Sequence, residues 1–200
     1  MQENATSPSL VFLVGARASG KTTVGRVLAR RLGLPFVDTD AAVAASTGKT
    51  VAEIVAAEGW PGFRRRESAA LRAAAAAHPG GVVVATGGGM VLAAENRAYM
   101  RAQGVVLYLE APAALLAARL ACDPQAAQRP SLTGLDAAQE AARVLAERAP
   151  LYAAAAHHRL DAALPPEQIC AAVADLIALA AERRAGCPPA PSARRAADPA

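Results

Sequence analysis

The run from Gly15 to Thr22 constrains this chain more than any other stretch, because it fits Gly-x-x-x-x-Gly-Lys-Thr at every fixed position. Its flanks are the ones the pattern needs. Leu10–Val14 is a short apolar run that reads as a buried strand, and Thr23–Leu32 carries helical apolar spacing at Val24, Val27, Leu28 and Leu32. A strand, a glycine-rich loop and a helix in that order turn a row of backbone N–H groups and a helix N-terminus toward one point. Such a point holds a polyphosphate. Lys21 would reach the β- and γ-phosphates, and the Thr22 hydroxyl would ligate Mg²⁺.

Downstream, strands and helices alternate. Strands are expected at 34–38, 82–85, 105–109 and, as a short last one, 159–162. Helices are expected at 41–47, 51–58, 63–77, 96–103, 113–121, 137–154 and 166–184. The alternation predicts an α/β domain with a parallel sheet covered on both faces. Three parts stand apart: a flexible N-terminus at 1–9, an irregular Pro- and Gly-containing segment at 123–136 that reads as a mobile loop, and a Pro- and Ala-rich tail at 186–200 expected to be disordered. The rest, 10–185, is one domain.

Ligands of parallel sheets gather beyond the strand C-termini, so the residues just after each strand come first. Asp38 and Asp40 close the second strand, and alternate residues of an extended segment point the same way. Phosphoryl transfer needs one carboxylate to hold Mg²⁺ and another to orient or deprotonate the acceptor hydroxyl. The other strand ends offer Thr86 and Glu110 but no aspartate, which leaves the Asp38/Asp40 pair as the metal and base candidates. Asp40 has a competing role as the N-cap of the next helix. Gly87, Gly88 and Gly89 follow a strand directly, and three glycines in a row are costly unless the chain turns sharply or a ligand comes close. Arg64, Arg65 and Arg66 precede Glu67; Arg64 and Glu67 share a helix face, so the carboxylate can hold that guanidinium for an anion, but the run alone leaves open which arginine matters. Arg129, in the irregular segment, and Arg148 are further candidates for contacting anions.

Composition excludes several classes. No stretch of eighteen apolar residues exists despite 54% hydrophobic content, and Met1–Ser9 carries no basic residue, so neither a membrane span nor a signal sequence is expected and the chain is placed in the cytoplasm. The net charge is only +4 and aromatic content 4%, which gives no footprint for nucleic acid. Cys122, Cys170 and Cys187 have no disulfide or zinc spacing and read as free thiols, and His78, His157 and His158 read as surface or packing groups.

Taken in order, these elements resemble the shikimate kinases, in particular the type found as the second isozyme in enteric bacteria. The resemblance runs from about Leu10 to about Ile177 through Phe36–Asp40, Thr50–Val55, Trp60–Arg64 with Arg66 and Glu67, Ala85–Gly89, Asn96–Arg97, Arg129–Pro130 with Leu132–Gly134, and Glu147, Arg148, Leu151 and Tyr152. It implies ATP-dependent phosphorylation of shikimate at its 3-hydroxyl, on the way to chorismate and the aromatic amino acids. It also implies a three-layer α/β/α fold of the nucleoside-monophosphate-kinase type, with a five-stranded parallel sheet in the order 2-3-1-4-5. By resemblance, Gly15, Ala18, Ser19, Gly20, Lys21, Thr22 and Thr23 bind ATP, Arg119 lies against adenine, and Arg129 reaches nucleotide phosphate from the lid. Thr22 and Asp38 serve Mg²⁺. Asp40, Arg64, Gly88 and Arg148 hold shikimate within the Gly87–Gly89 turn, and Asp40 receives the hydroxyl proton. Lys21, Asp40 and Arg129 are then the catalytic set, in a chain expected to act as a monomer. Ala18 departs from the family, which usually has glycine there; a negative φ would tolerate it, and a positive φ would strain the loop by about 1 kcal/mol or more. Two alternatives stand beside this reading: another small-molecule P-loop kinase, such as a gluconate kinase, and a non-catalytic ATP-binding regulator.

Overall fold

The computed structural model describes residues 10–122 and 137–185. The expected N-terminal arm, the lid at 123–136 with Arg129, and the tail at 186–200 lie outside these residues.

Five strands form one parallel sheet: β1 (Leu10–Val14), β2 (Phe36–Asp38), β3 (Val82–Ala85), β4 (Val105–Glu110) and β5 (His158–Asp161), in the order β2-β3-β1-β4-β5. β1 is central because its Leu-Val-Phe-Leu-Val sequence is apolar on both faces. Phe12 sits in register with Val84 on one side and Val106 on the other, and Val11 to Val14 are wholly buried. Among the described residues, seven α-helices connect and cover the strands: α1 (Lys21–Leu32), α2 (Thr39–Thr47), α3 (Val51–Ala77), α4 (Ala94–Gln103), α5 (Ala113–Ala121), α6 (Ala137–Ala155) and α7 (Pro166–Ala185). α1 packs on α7, and α4 packs on α6. Right-handed crossovers place these two pairs on opposite faces of the sheet. None of the helices is long and apolar enough to cross a membrane among the described residues.

Three boundaries differ from the sequence reading in ways that matter. First, Asp38 ends β2 and is itself the N-cap of α2: its Oδ1 accepts from the backbone N–H groups of Asp40 (3.0 Å) and Ala41 (3.3 Å). Asp40, for which capping was the competing role, lies instead in the first turn of α2, so strand alternation is not what aims it. Second, the helices expected at 51–58 and 63–77 join into α3, opened by a Thr50/Glu53 capping box and bent at Gly59 (φ 67°). Pro61 sits just past the bend, where a missing N–H costs little, and Glu58 pairs with Arg66 across it through two hydrogen bonds of 2.6 and 3.0 Å. Third, the glycine triplet leads into a 3₁₀ turn at Met90–Leu92 before α4.

α2 and the start of α3 bury a small cluster of their own (Val43, Ile54 and Phe63) beside the main core around the sheet.

At the far end of the molecule, His157 Nδ1 accepts from the Val106 N–H at 3.0 Å, helping to join the α6–β5 connection to β4. Burial, with help from Arg101 and His158, pushes its pKa below the ordinary 6.5. The unfolded chain therefore takes up this proton first as pH falls. His157 contributes stability above about pH 6.5 that is lost as pH drops from there toward the lower folded value. Denaturant unfolding between pH 7.5 and 5 should show this decline, and His157→Asn should flatten it; an unchanged pH slope in the variant would contradict the assignment.

Candidate active site

The site is built at the C-terminal edge of the sheet, where β1, β2 and β3 end side by side. The loop after β1 turns into α1 at Gly20, whose φ of 93° is open to glycine and few other residues. α1 thus starts with its N–H groups facing the loop and with Lys21 as its first residue. Lys21 Nζ donates back to Gly15 O (2.8 Å) and Ala16 O (2.6 Å), which holds its ammonium at the centre of the loop. Thr22 Oγ1 donates to Asp38 Oδ2 at 2.7 Å. Because Asp38 Oδ1 is occupied by the α2 cap, its other oxygen is fixed toward Thr22. Residues from three elements are thereby locked together: the phosphate loop, the end of β2 and the start of α2.

Ala18 has φ 62°, the left-handed conformation. Of the two outcomes left open by the sequence, the strained one holds. Its carbonyl accepts from Arg119 Nη1 (3.3 Å), while Arg119 Nη2 donates to Ala162 O (2.9 Å), so one side chain from α5 ties the loop to the end of β5. A left-handed alanine strains the folded chain and so lowers the stability of the fold. Ala18→Gly should raise stability by about 0.5–1 kcal/mol, or about 1–4 °C in melting temperature. A lower melting temperature would contradict the left-handed assignment.

The Gly87–Gly89 turn follows β3, and the structure shows what its missing side chains make room for. A Cβ on Gly87 would fall on the carboxylates of Glu67 and Asp40, the latter at 2.6 Å, and one on Gly89 would fall on the Arg64 guanidinium. The turn's first N–H donates to Thr39 Oγ1 at 2.9 Å, which joins it to α2 one residue before Asp40. Glu67 is buried and ion-pairs with Arg64, whose guanidinium also lies over Trp60 and Phe63, 5.2 and 5.6 Å from the ring centres. This singles out Arg64 from its neighbours, since Arg66 is engaged with Glu58 on the exposed side.

From the other side comes α6. Arg148, only 9% exposed, donates through Nη1 to Gly88 O at 3.2 Å, and Tyr152 Oη donates to the same oxygen at 2.6 Å. Arg148 Nε is buried and has no hydrogen-bond partner among the described residues. A buried, charged donor in that state is suited to an anionic oxygen. A Cβ on Gly88 would make only ordinary contacts, the nearest with the Arg17 backbone nitrogen at 3.5 Å, so no side chain of the protein occupies that position as it does at Gly87 and Gly89.

These groups surround a cleft of about 1050 Å³, whose lining includes Arg17, Lys21, Thr22, Asp38, Asp40, Gly88 and Arg119. Of the residues singled out in the sequence, all that fall within the described part gather here or, as Arg64, Arg148, Gly87 and Gly89, directly behind the turn that lines it. The cysteines take no part: Cys170 is buried, Cys122 lies exposed at the end of α5, and Cys187 is outside the described residues. Thr39 and the Tyr152 hydroxyl were missed as site residues. Tyr152 carried a signal, four residues after Arg148 on one helix face. Thr39 carried none, because extended alternation would have turned it away from the aspartates.

In chemical terms the cleft offers a loop of backbone N–H groups suited to polyphosphate, an oxygen pair suited to a hard cation, and the Asp40 carboxylate, with the half-buried Arg64 and the buried Arg148 packed against the turn beside it. The family profile described as shikimate kinase matches residues 17–178. Shikimate kinase 2 of Syntrophotalea carbinolica is 55% identical over 167 residues, covering 84% of this chain and 95% of that protein. Shikimate kinase 2 of Dickeya chrysanthemi is 56% identical over 159 residues, covering 80% and 90%. Among solved structures, shikimate kinase from Acinetobacter baumannii in complex with shikimate superposes with a TM-score of 0.80 at 34% identity, covering 88% of this chain and 96% of that one.

Proposed function

The chain belongs to the shikimate kinase family, and from that premise we propose how its cleft carries out the family's reaction, transfer of the ATP γ-phosphoryl to the 3-hydroxyl of shikimate to give 3-phosphoshikimate and ADP. The observation that carries the proposal is the shared frame: Lys21, Thr22 and Asp38 on one side of the cleft are tied through α2 to Asp40, and Asp40 abuts the turn against which Arg64 and Arg148 pack.

The backbone N–H groups from Ala18 to Thr23 cradle the phosphates, with Gly15 and Gly20 giving the loop its turn and Ser19 packed beneath it. Lys21 leaves the loop carbonyls for the β- and γ-phosphates and offsets the charge that develops during transfer. Arg119 borders the nucleotide end of the cleft. Arg129, outside the described residues, is assigned to nucleotide phosphate by family position alone.

Shikimate is a polyol with one carboxylate. Arg64 and Arg148 pair with that carboxylate beside the Gly88 backbone, each presenting a fork suited to it. This grip sets the ring so that its 3-hydroxyl meets Asp40, which accepts the hydroxyl proton as the oxygen attacks phosphorus.

The donor set fits Mg²⁺. Thr22 and Asp38 supply hard oxygens, the Thr22 proton is already directed to Asp38 so its lone pairs face the cleft, and Mg²⁺ usually takes only one or two protein oxygens and completes its shell with phosphates and water. Bound there, Mg²⁺ would supply charge neutralisation for the β- and γ-phosphates.

Because every group in this scheme comes from one chain, we read the protein as a monomer that works without help from a partner, and as a cytoplasmic one. The test is a coupled ADP-release assay over shikimate, gluconate and nucleoside monophosphates. Turnover with shikimate alone is expected. Turnover only with one of the others would overturn the substrate, and binding of ATP with no turnover on any would favour a regulator.

A further inference from the structure

The Gly88 carbonyl takes two donors from α6, Tyr152 Oη at 2.6 Å and Arg148 Nη1 at 3.2 Å. Only the arginine has a role in the scheme above. Tyr152 is wholly buried, its ring stacked on Tyr108 with centroids 5.2 Å apart and planes 28° apart. Burial pushes its pKa up to about 12, so at neutral pH it is a protonated donor. The stack and the helix fix the ring, and Gly88 O is the acceptor its hydroxyl meets.

A carbonyl oxygen accepts two hydrogen bonds, and a buried one left with none is costly. If Arg148 were the sole donor to Gly88 O, turning toward a substrate acid would strip that oxygen of its partner. The arginine would then be held back on the protein. With Tyr152 present, the carbonyl remains satisfied and the peptide plane remains fixed when the guanidinium leaves. Arg148 Nε, buried and unpaired among the described residues, is the part of the fork already available to an incoming oxygen.

We infer that Tyr152 is a positioning residue for the substrate acid: its hydroxyl keeps the Gly88 carbonyl paired, and so releases Arg148 to the carboxylate. This rests on the placing of the shikimate acid at Arg148.

The experiment is steady-state kinetics of Tyr152→Phe, which keeps the ring stack and removes only the donor. The shikimate KM is expected to rise about tenfold, with the ATP KM and kcat each within about twofold. In an Arg148→Ala background the same change should have no further effect, since no guanidinium remains to be released. Tyr108→Phe, which leaves the Gly88 contact intact, should leave both KM values unchanged. A shikimate KM unaltered by Tyr152→Phe, an equal rise in both KM values, or a full effect in the Arg148→Ala background would each overturn the inference. Should Tyr152→Phe fail to fold, 4-aminophenylalanine at position 152, a weaker donor of the same shape, replaces it: an intermediate rise in shikimate KM supports the role and an unaltered one overturns it. Wild type in the same assay separates the two levels. If it phosphorylates shikimate and the variants do not respond as stated, only the Tyr152 role falls; if it does not phosphorylate shikimate, the placing of the acid falls and the Tyr152 role with it.

Discussion

Asp40→Asn should lower kcat for shikimate by about a thousandfold while leaving the ADP dissociation constant within about threefold. The substitution keeps shape and nearly keeps volume, but an amide cannot take the proton that the 3-hydroxyl loses. Geometry makes the separation of effects sharp. Asp40 sits in the first turn of α2 against the Gly87 end of the turn, while Asp38, not Asp40, makes the hydrogen bond to Thr22 at the phosphate loop. The α2 cap is made by Asp38, so Asp40→Asn leaves the helix start intact. Activity within tenfold of wild type would remove Asp40 as the base. Loss of ADP binding in parallel with kcat would show instead that the variant had collapsed the phosphate site.

Arg148→Ala should raise the shikimate KM by about a hundredfold, with the ATP KM within about threefold. The magnitude follows from deleting one partner of a desolvated, charge-assisted pair, which costs about 2–5 kcal/mol. Burial is what places Arg148 in that range; an exposed arginine would contribute far less. The fold should tolerate the change, because Tyr152 still donates to the Gly88 carbonyl. Arg148→Lys should recover only part of the loss, since an ammonium lacks the planar fork. Equal increases in both KM values, or a shikimate KM within threefold of wild type, would contradict the acid clamp.

The two predictions draw on parts of the molecule that were legible to different degrees. The phosphate loop could be read outright, because its glycines and lysine act through local backbone geometry and sit between a strand and a helix that announce themselves. Strand order followed from the family rather than from any spacing, since neighbours such as β1 and β4 meet only through tertiary packing. The Asp38/Asp40 pair was found for an incomplete reason. Both do face the cleft, yet Asp38 is placed by capping a helix and Asp40 by belonging to it. A strand of three residues, Phe36–Asp38, gives alternation too little length to be decided from sequence.

The glycine triplet was recognised as a place of close approach, but what approaches was hidden. Asp40 comes from α2 and Arg64 and Glu67 from the next helix, α3, and only the folded structure shows their charged ends filling the space of the Cβ atoms absent at Gly87 and Gly89. Those glycines are thus required first by the protein's own side chains. The choice of Arg64 over Arg65 and Arg66 had the same cause: three adjacent arginines read alike until Glu67, Trp60 and Phe63 surround one of them. Ala18 shows the limit from the other direction, since sequence could pose the question of its φ but backbone geometry had to answer it.

The central claim is that a terminal phosphoryl group held by Lys21 lies in line with an alcohol whose proton faces Asp40 and whose acid is gripped by Arg64 and Arg148. A crystal structure with Mg²⁺, ADP and shikimate tests it most directly. The account predicts the β-phosphate at Lys21, the shikimate carboxylate between the two guanidinium groups beside Gly88, and the 3-hydroxyl within hydrogen-bonding distance of Asp40. Shikimate bound with its carboxylate away from both arginines, or with the 3-hydroxyl turned from Asp40, would contradict it.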